Sequence, residues 1–230
     1  MKKLFFLVIA CVVASTASAQ FVNSGNANVA AKSGTSLSSM STDDYNRFYV
    51  GYNPTKINWE DDQEDNEEGF PLTQSLTAGY LHASSLSSSV PLFLEYGANF
   101  QYSFGKESND GDDLTVNMYS VNVPISLAFK AQFNDVSLTP YLGVNFRVNA
   151  AGTLTYDDED TNIFDDSDKE AGDNAAKRFQ AGINFGVGLS YKAIYLGVGY
   201  LSDFSKFIDN NDDDNVGKMG AVTLTVGINF

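Results

Sequence analysis

Histidine and cysteine carry much of the metal and nucleophile chemistry of proteins, and this chain of 230 residues has one of each, His82 and Cys11. A metal site built from several histidines is therefore excluded. Cys11 lies in an apolar N-terminal run, and from Gln20 onward the chain has no cysteine, so a disulfide framework is excluded as well. We expect no cofactor, no metal site of this kind and no catalytic site.

Acidic residues are the other abundant chemical group: 29 Asp and Glu against 14 Lys and Arg give a formal net charge of -15. Such a balance argues against nucleic acid and anionic lipid as partners. Of the 29 acids, 24 fall in residues 59–71, 106–113, 152–176 and 207–217. The run from Asp209 to Asp214 has the oxygen ligands of a calcium loop, but it lacks the glycine and the downstream glutamate of that motif. Solvated, mutually repelling loops are the main interpretation, and weak binding of divalent cations is the alternative.

The segments that separate these acidic stretches alternate between apolar and polar residues. In residues 218–230 the apolar face carries Val222, Leu224, Val226 and Ile228, and it ends with Phe230. The opposite face is small and polar, with no charged side chain between Gly220 and the C-terminus. This pattern is typical of a strand with one face toward lipid and the other toward a narrow lumen.

Seven further segments show the same period of two, at residues 47–56, 72–82, 90–105, 114–130, 136–151, 177–191 and 193–204. Their connections alternate between long and short, which places every long loop at one end of an up-and-down barrel. The sequence therefore predicts an all-β fold, an eight-stranded antiparallel transmembrane β-barrel. The long acidic loops would be extracellular and both termini periplasmic. Pro124 lacks a backbone donor and predicts a bulge or local distortion in its strand.

Residues 1–19 have two lysines, a short apolar run and Ala17-Ser18-Ala19, which together predict a cleaved secretory signal peptide. A lipoprotein processing site at Cys11 is the alternative. Residues 20–45 are rich in Ser, Asn, Gly and Ala and predict a flexible periplasmic leader, so that residues 46–230 form the barrel.

Three stretches, VNVPISLAFKAQF, SLTPYLGVNFRV and RFQAGINFGVGLSYKAIYLGVGYLSDF, resemble in their order the porin-like outer-membrane β-barrel family of Gram-negative bacteria. The C-terminal Phe230 resembles the signal by which such barrels are recognised for assembly. This resemblance implies location in the outer membrane. It also implies outer-membrane lipid, lipopolysaccharide and the barrel-assembly machinery as partners, while the surface partner stays unidentified.

An eight-stranded barrel is just wide enough for its own side chains to fill it. We predict that Glu95 and Arg147 lie in the lumen, with Arg47 and Lys130, as an internal salt-bridge network. The alternative is a charged constriction that passes ions or small solutes. Outward tyrosines predict aromatic girdles at the membrane interfaces; they are Tyr80, Tyr96, Tyr102, Tyr119, Tyr191 and Tyr200.

Two further functions are alternatives. His82-Ala83-Ser84 resembles the His-x-Ser spacing of outer-membrane lipid A deacylases, but it is predicted at a short periplasmic turn, away from the lipopolysaccharide leaflet. A soluble lipocalin-like calyx would require the apolar faces to point inward. The main hypothesis is a non-enzymatic outer-membrane protein whose acidic loops serve surface interaction or envelope structure.

Overall fold

The computed structural model describes residues 41–60, 73–109, 112–156, 159–164, 176–209 and 216–230. All regular secondary structure in these ranges is β-strand. The strands are β1 (Tyr45–Tyr52), β2 (Thr55–Glu60), β3 (Gln74–Ser85), β4 (Leu92–Asn109), β5 (Asp112–Phe129), β6 (Ala131–Phe133), β7 (Val136–Tyr156), β8 (Glu159–Asn162), β9 (Phe179–Tyr191), β10 (Ile194–Asp203), β11 (Ile208–Asp209) and β12 (Val216–Asn229). No segment within these ranges forms a helix of the length and apolarity needed to cross a membrane.

Eight of these strands close into one antiparallel barrel, in the order β1-β3-β4-β5-β7-β9-β10-β12, with β12 pairing back onto β1. This ring confirms the predicted fold class. β2 continues β1 past Pro54 and keeps the same register on β12, so the two form one long staggered strand. The strands β6, β8 and β11 are short additions to β7 and β12 at the two ends of the barrel.

The stagger of the barrel can be followed through paired residues. One circuit runs Asn46, His82, Tyr96, Ile125, Val144, Ile183, Ser202, Gly220 and Lys56. It returns to the first strand ten residues beyond its start. A stagger of ten over eight strands corresponds to a tilt of about 40–45° from the barrel axis, as is usual for closed barrels.

One local prediction needs correction, and a second is confirmed in one of its two forms. Residues 106–113 were expected to form a long loop, but β4 and β5 stay paired up to Asn109 and Asp112 and leave only residues 110 and 111 between them. Cross-strand pairing extends further here because the backbone hydrogen bonds continue beyond the apolar segment that marks the strand in the sequence. Pro124 causes the predicted local distortion but no bulge: the β4–β5 ladder omits its pair and the next, and it resumes in the same register. The bulge lies instead between Tyr119 and Ser120, opposite Ala150 on β7.

The alternation of the strands separates a polar interior from an apolar exterior. Side chains buried inside include Ser75, Gln101, Asn122 and Asn149, whereas Leu224 and Val226 are 48% and 52% exposed on the outside. This arrangement excludes the calyx hypothesis, because a calyx buries its apolar faces. On β5 the outward apolar run from Tyr119 to Phe129 covers about 25 Å along the barrel axis, the height of a transmembrane barrel's apolar band.

Outward aromatic rings gather at both edges of this band. Toward the short turns, Phe48 packs against Tyr80 and Phe230 with ring centroids 5.1 and 5.4 Å apart. Toward the long loops, Tyr119 stacks on Tyr102 at 4.9 Å and on Phe100 at 6.1 Å. Aromatic rings at the two edges of an apolar band are the pattern of interfacial girdles.

Candidate functional site

The inward side chains form two charged clusters at different depths of the lumen. The first lies near the short turns, where Arg47 Nη2 is 3.4 Å from Glu95 Oε1 and both side chains are buried. Tyr45 donates its hydroxyl hydrogen to the same carboxylate oxygen, and Arg47 Nε donates to Asn229 Oδ1 at 2.8 Å. The Arg47 guanidinium also lies 3.5 Å from the centroid of the Tyr195 ring. Hydrogen bonds and a cation–π contact thus compensate the burial of this pair.

Lys130 lies beside this cluster, in the short connection after β5 and outside the spanning strands. Its Nζ atom is 4.6 Å from the centroid of the Tyr45 ring. Burial lowers the pKa of Lys130, because desolvation disfavours the charged amine, and the positive charge of Arg47 acts in the same direction.

The second cluster lies toward the long loops and is centred on Arg147, which is completely buried. Its Nη1 atom is 3.1 Å from Asp203 Oδ2 and also 3.1 Å from Met219 Sδ. Its Nε atom donates to Asn122 Oδ1 at 3.0 Å. Glu95 and Arg147 are therefore not partners, although the sequence pattern predicted that both belong to one salt-bridge network. Along β5 their paired residues, Ser126 and Asn122, are separated by about 13 Å.

From the level of Arg147 toward the long loops, amide and hydroxyl side chains hydrogen-bond from strand to strand. Asn122 Nδ2 donates to Asn99 Oδ1 at 2.9 Å and to Gln101 Oε1 at 3.2 Å, and Gln101 in turn donates to Ser103 at 3.1 Å. Beside this network is a cavity of about 120 Å³, large enough for several water molecules. Asn53 and Asn184 line it, each with a buried side-chain oxygen that has no protein partner. Water is the simplest donor for these oxygens.

Inward glycines make room for inward tyrosines. A Cβ at Gly188 would lie 2.2 Å from Tyr195 Cε2, and one at Gly197 would lie 2.6 Å from the hydroxyl of the same tyrosine. Gly199 bears the same relation to Tyr141, with 2.3 Å to its hydroxyl. The glycine-rich inner faces of β9 and β10 therefore accommodate the large rings that fill the part of the lumen near the short turns.

Sequence reasoning missed Asp203, the ion-pair partner of Arg147. A usable signal existed, since Asp203 shares the alternation of Gly197 and Gly199 and is one of the few acids outside the acidic stretches. It also missed Tyr45 and Tyr195, the aromatic partners of Arg47.

The remaining residues singled out in the sequence lie outside the lumen. Phe230 is exposed next to Phe48, and its backbone carbonyl accepts a hydrogen bond from the Asn46 amide at 2.9 Å. His82 points outward on β3, where its Nδ1 atom is 2.9 Å from Asn46 Oδ1. Within the described ranges, no hydrogen bond joins His82 to Ser84, which is the contact that a base and nucleophile require.

The described part of the chain holds no group of three or more His, Cys, Asp or Glu side chains placed to bind a metal ion. Most of the acidic stretches lie outside the described residues, including Asp212, Asp213 and Asp214 of the calcium-like run. The expectation of weak divalent-cation binding falls there and stays a prediction. The predicted signal peptide also lies outside the described residues, as does all but the end of the leader.

The fold and the filled lumen together define a small eight-stranded β-barrel of the outer-membrane type. The sequence matches no protein-family model and has no significant match among curated proteins. Among solved structures, the chain is similar to the attachment invasion locus protein Ail of Yersinia pestis, with 14% identity, 81% of this chain and 98% of that chain covered, and a TM-score of 0.39. It is similar to Neisserial surface protein A (15% identity, 83% and 98% covered, TM-score 0.43) and to the outer membrane enzyme PagL (12% identity, 79% and 98% covered, TM-score 0.45). Similarities of this size transfer no function to the chain.

Proposed function

We propose that this chain is an integral outer-membrane protein without catalytic activity, and that its barrel anchors acidic loops at the cell surface. The loops would serve surface interaction or envelope structure. Both termini would be periplasmic, because the short turns and the ends of β1 and β12 lie at the same end of the barrel.

The single observation that carries this proposal is the reversal of the pattern of a soluble protein. Large apolar side chains such as Phe48, Leu142, Ile194 and Val226 are exposed around the outside, while arginine, glutamate and asparagine fill the centre. In water this exterior would aggregate, because soluble monomers rarely expose apolar patches of more than a few hundred Å². In a bilayer the same exterior is solvated by acyl chains, and the closed ring leaves no unpaired strand edge in the lipid.

Membrane fractionation tests the location, combined with a gel-mobility shift on heating. The folded protein is expected in the outer-membrane fraction and is expected to change mobility when boiled. Surface proteolysis of intact cells tests the orientation, with cleavage expected in the acidic stretches and not in the short turns. Recovery in the soluble fraction without detergent would contradict the proposal.

Narrow passage of ions is the second candidate function, and the polar cavity of about 120 Å³ favours it. Against an open path, buried ion pairs occupy the lumen at two depths, one near the short turns and one toward the long loops. We therefore expect planar-bilayer recordings of the purified protein to show no steady conductance. A stable conductance that falls when Asn99 and Asn184 are replaced by leucine would favour passage instead.

For the deacylase alternative, the decisive measurement is lipid A deacylation by the purified protein. We expect none, because His82 is engaged with Asn46 and has no hydrogen bond to Ser84. Activity that is abolished in both His82→Ala and Ser84→Ala proteins would replace the structural proposal by an enzymatic one.

A further inference from the structure

An apolar cluster covers the long-loop end of the lumen, above the Arg147–Asp203 pair. It consists of Met118, Ile163, Phe164, Phe207 and Met219, and all five side chains are buried. Met118 and Met219 belong to the inward faces of β5 and β12, whereas Ile163, Phe164 and Phe207 come from the chain after β8 and after β10. Two connecting segments thus fold over the mouth of the barrel, and we call these five residues the apolar cap.

Backbone hydrogen bonds hold the cap on the barrel. The Ile163 amide donates to the Gly152 carbonyl at 3.2 Å, and the Phe207 amide donates to the Gly217 carbonyl at 2.8 Å. A hydrogen bond also joins the two connections, since the Lys177 amide, in the chain that leads into β9, donates to the Phe207 carbonyl at 2.8 Å. Segments fixed in this way have a defined position over the mouth.

Side-chain contacts give the cap a close fit. A Cβ at Gly152 would lie 2.5 Å from Ile163 Cδ1 and 2.7 Å from Phe164 Cε2, so a side chain at this position would have to displace these two cap side chains. The Arg178 guanidinium lies 4.8 Å from the centroid of the Phe164 ring, and Arg178 donates to the Ala150 carbonyl at 2.8 Å. On the inner side of the cap, Met219 Sδ contacts Arg147 Nη1, which places the apolar cap directly on the buried ion pair.

We propose that the apolar cap is a seal that keeps ions and polar solutes out of the lumen from the long-loop side. Hydrophobic constrictions block water and ions by dewetting, whereas a polar lining admits them. The amide and hydroxyl network below the cap would be accessible without this layer. The seal depends on the cap residues themselves, and a steady conductance of the intact protein would contradict it.

Thiol accessibility tests the seal. Ser103 is completely buried, pairs across β4 and β5 with Met118 of the cap and accepts a hydrogen bond from Gln101, so a Ser103→Cys reporter lies where the cap meets the polar network. Cys11 is changed to alanine, which leaves the reporter as the only thiol in the full chain. The purified, detergent-folded protein is treated with a small cationic methanethiosulfonate, and the rate of labelling is followed by mass spectrometry.

The rate is compared between three proteins that carry the reporter: the intact cap, the Phe164→Ser/Phe207→Ser variant, and the Phe133→Ser/Phe204→Ser variant. Phe133 and Phe204 are exposed and lie outside the cap, so the third protein has the same chemical change without opening the mouth. We expect slow labelling in the first and third proteins and labelling at least about tenfold faster in the second.

Because loss of two buried phenylalanines can prevent folding, Gly152→Val provides an independent variant that displaces the cap and keeps all five cap residues. It is expected to speed labelling in the same way. Labelling of the intact protein as fast as that of the cap variants would overturn the proposal. The proposal would also be overturned if the cap variants kept the heat-dependent mobility of a folded barrel but were labelled no faster than the Phe133→Ser/Phe204→Ser protein.

Discussion

Removing Asp203 should destabilise the barrel more than removing Asp203 and Arg147 together. Arg147 Nη1 is 3.1 Å from Asp203 Oδ2, and both side chains are buried. At this separation two unit charges attract by about 5 kcal/mol at an effective dielectric constant of about 20, against desolvation costs of several kcal/mol for each ion. The intact pair therefore contributes little net stability, whereas an Asp203→Leu protein retains a buried guanidinium without its counter-ion.

We expect the Asp203→Leu substitution to lower the free energy of unfolding by about 3–5 kcal/mol. Adding Arg147→Met should recover at least about half of that loss, because the second change removes the uncompensated charge. Reversible urea unfolding in lipid vesicles measures all four corners of this double-mutant cycle. If the two substitutions are additive within about 0.5 kcal/mol, the two residues are not coupled, and the interpretation of this cluster as a buried ion pair is wrong.

Three more outcomes follow from the structure. Gly188→Ala should lower the free energy of unfolding by about 1–3 kcal/mol in the same assay, because its Cβ would overlap Tyr195. Adding Tyr195→Ala should relieve part of this cost. An unchanged midpoint would contradict the packing of β9 on Tyr195. Phe230→Ala should reduce the amount of barrel assembled in cells. It should change the free energy of unfolding by less than about 1 kcal/mol, since the side chain is 61% exposed. A loss of assembled barrel together with a clear loss of unfolding free energy would assign Phe230 a structural role instead. Glu95→Leu should destabilise the barrel by about 3–5 kcal/mol because Arg47 then lacks its counter-ion, and recovery in Arg47→Met/Glu95→Leu distinguishes this from a packing defect.

The sequence predicts the strands of this barrel well because the outward and inward residues of each strand meet different environments, which imposes a period of two. Outward Val222, Leu224 and Val226 meet one environment and inward Thr223 and Thr225 the other, so each strand carries its orientation in its own residues. The closure of β1 on β12 and the eight-strand count follow from that alternation and from the lengths of the connections.

Partner choice inside the lumen could not be predicted in this way. Alternation indicates that Glu95, Arg147 and Asp203 point inward, but their depth depends on the stagger between strands, which no single strand encodes. Glu95 on β4 therefore meets Arg47 on β1, with β3 between the two strands, and Arg147 on β7 meets Asp203 on β10. The apolar cap was missed for a related reason, since Ile163, Phe164 and Phe207 lie in connections that show no period of two.

The orientation of the apolar faces is the central claim, and an arginine scan of the exterior tests it most directly. Leu224 is 48% exposed within the apolar face of β12, and Phe133 is 52% exposed at the end of the short strand β6. For the protein folded in lipid vesicles, Leu224→Arg should lower the free energy of unfolding by about 2–4 kcal/mol, and Phe133→Arg by no more than about 1 kcal/mol. Equal and small costs at both positions would mean that Leu224 faces water, and would contradict the membrane-spanning barrel.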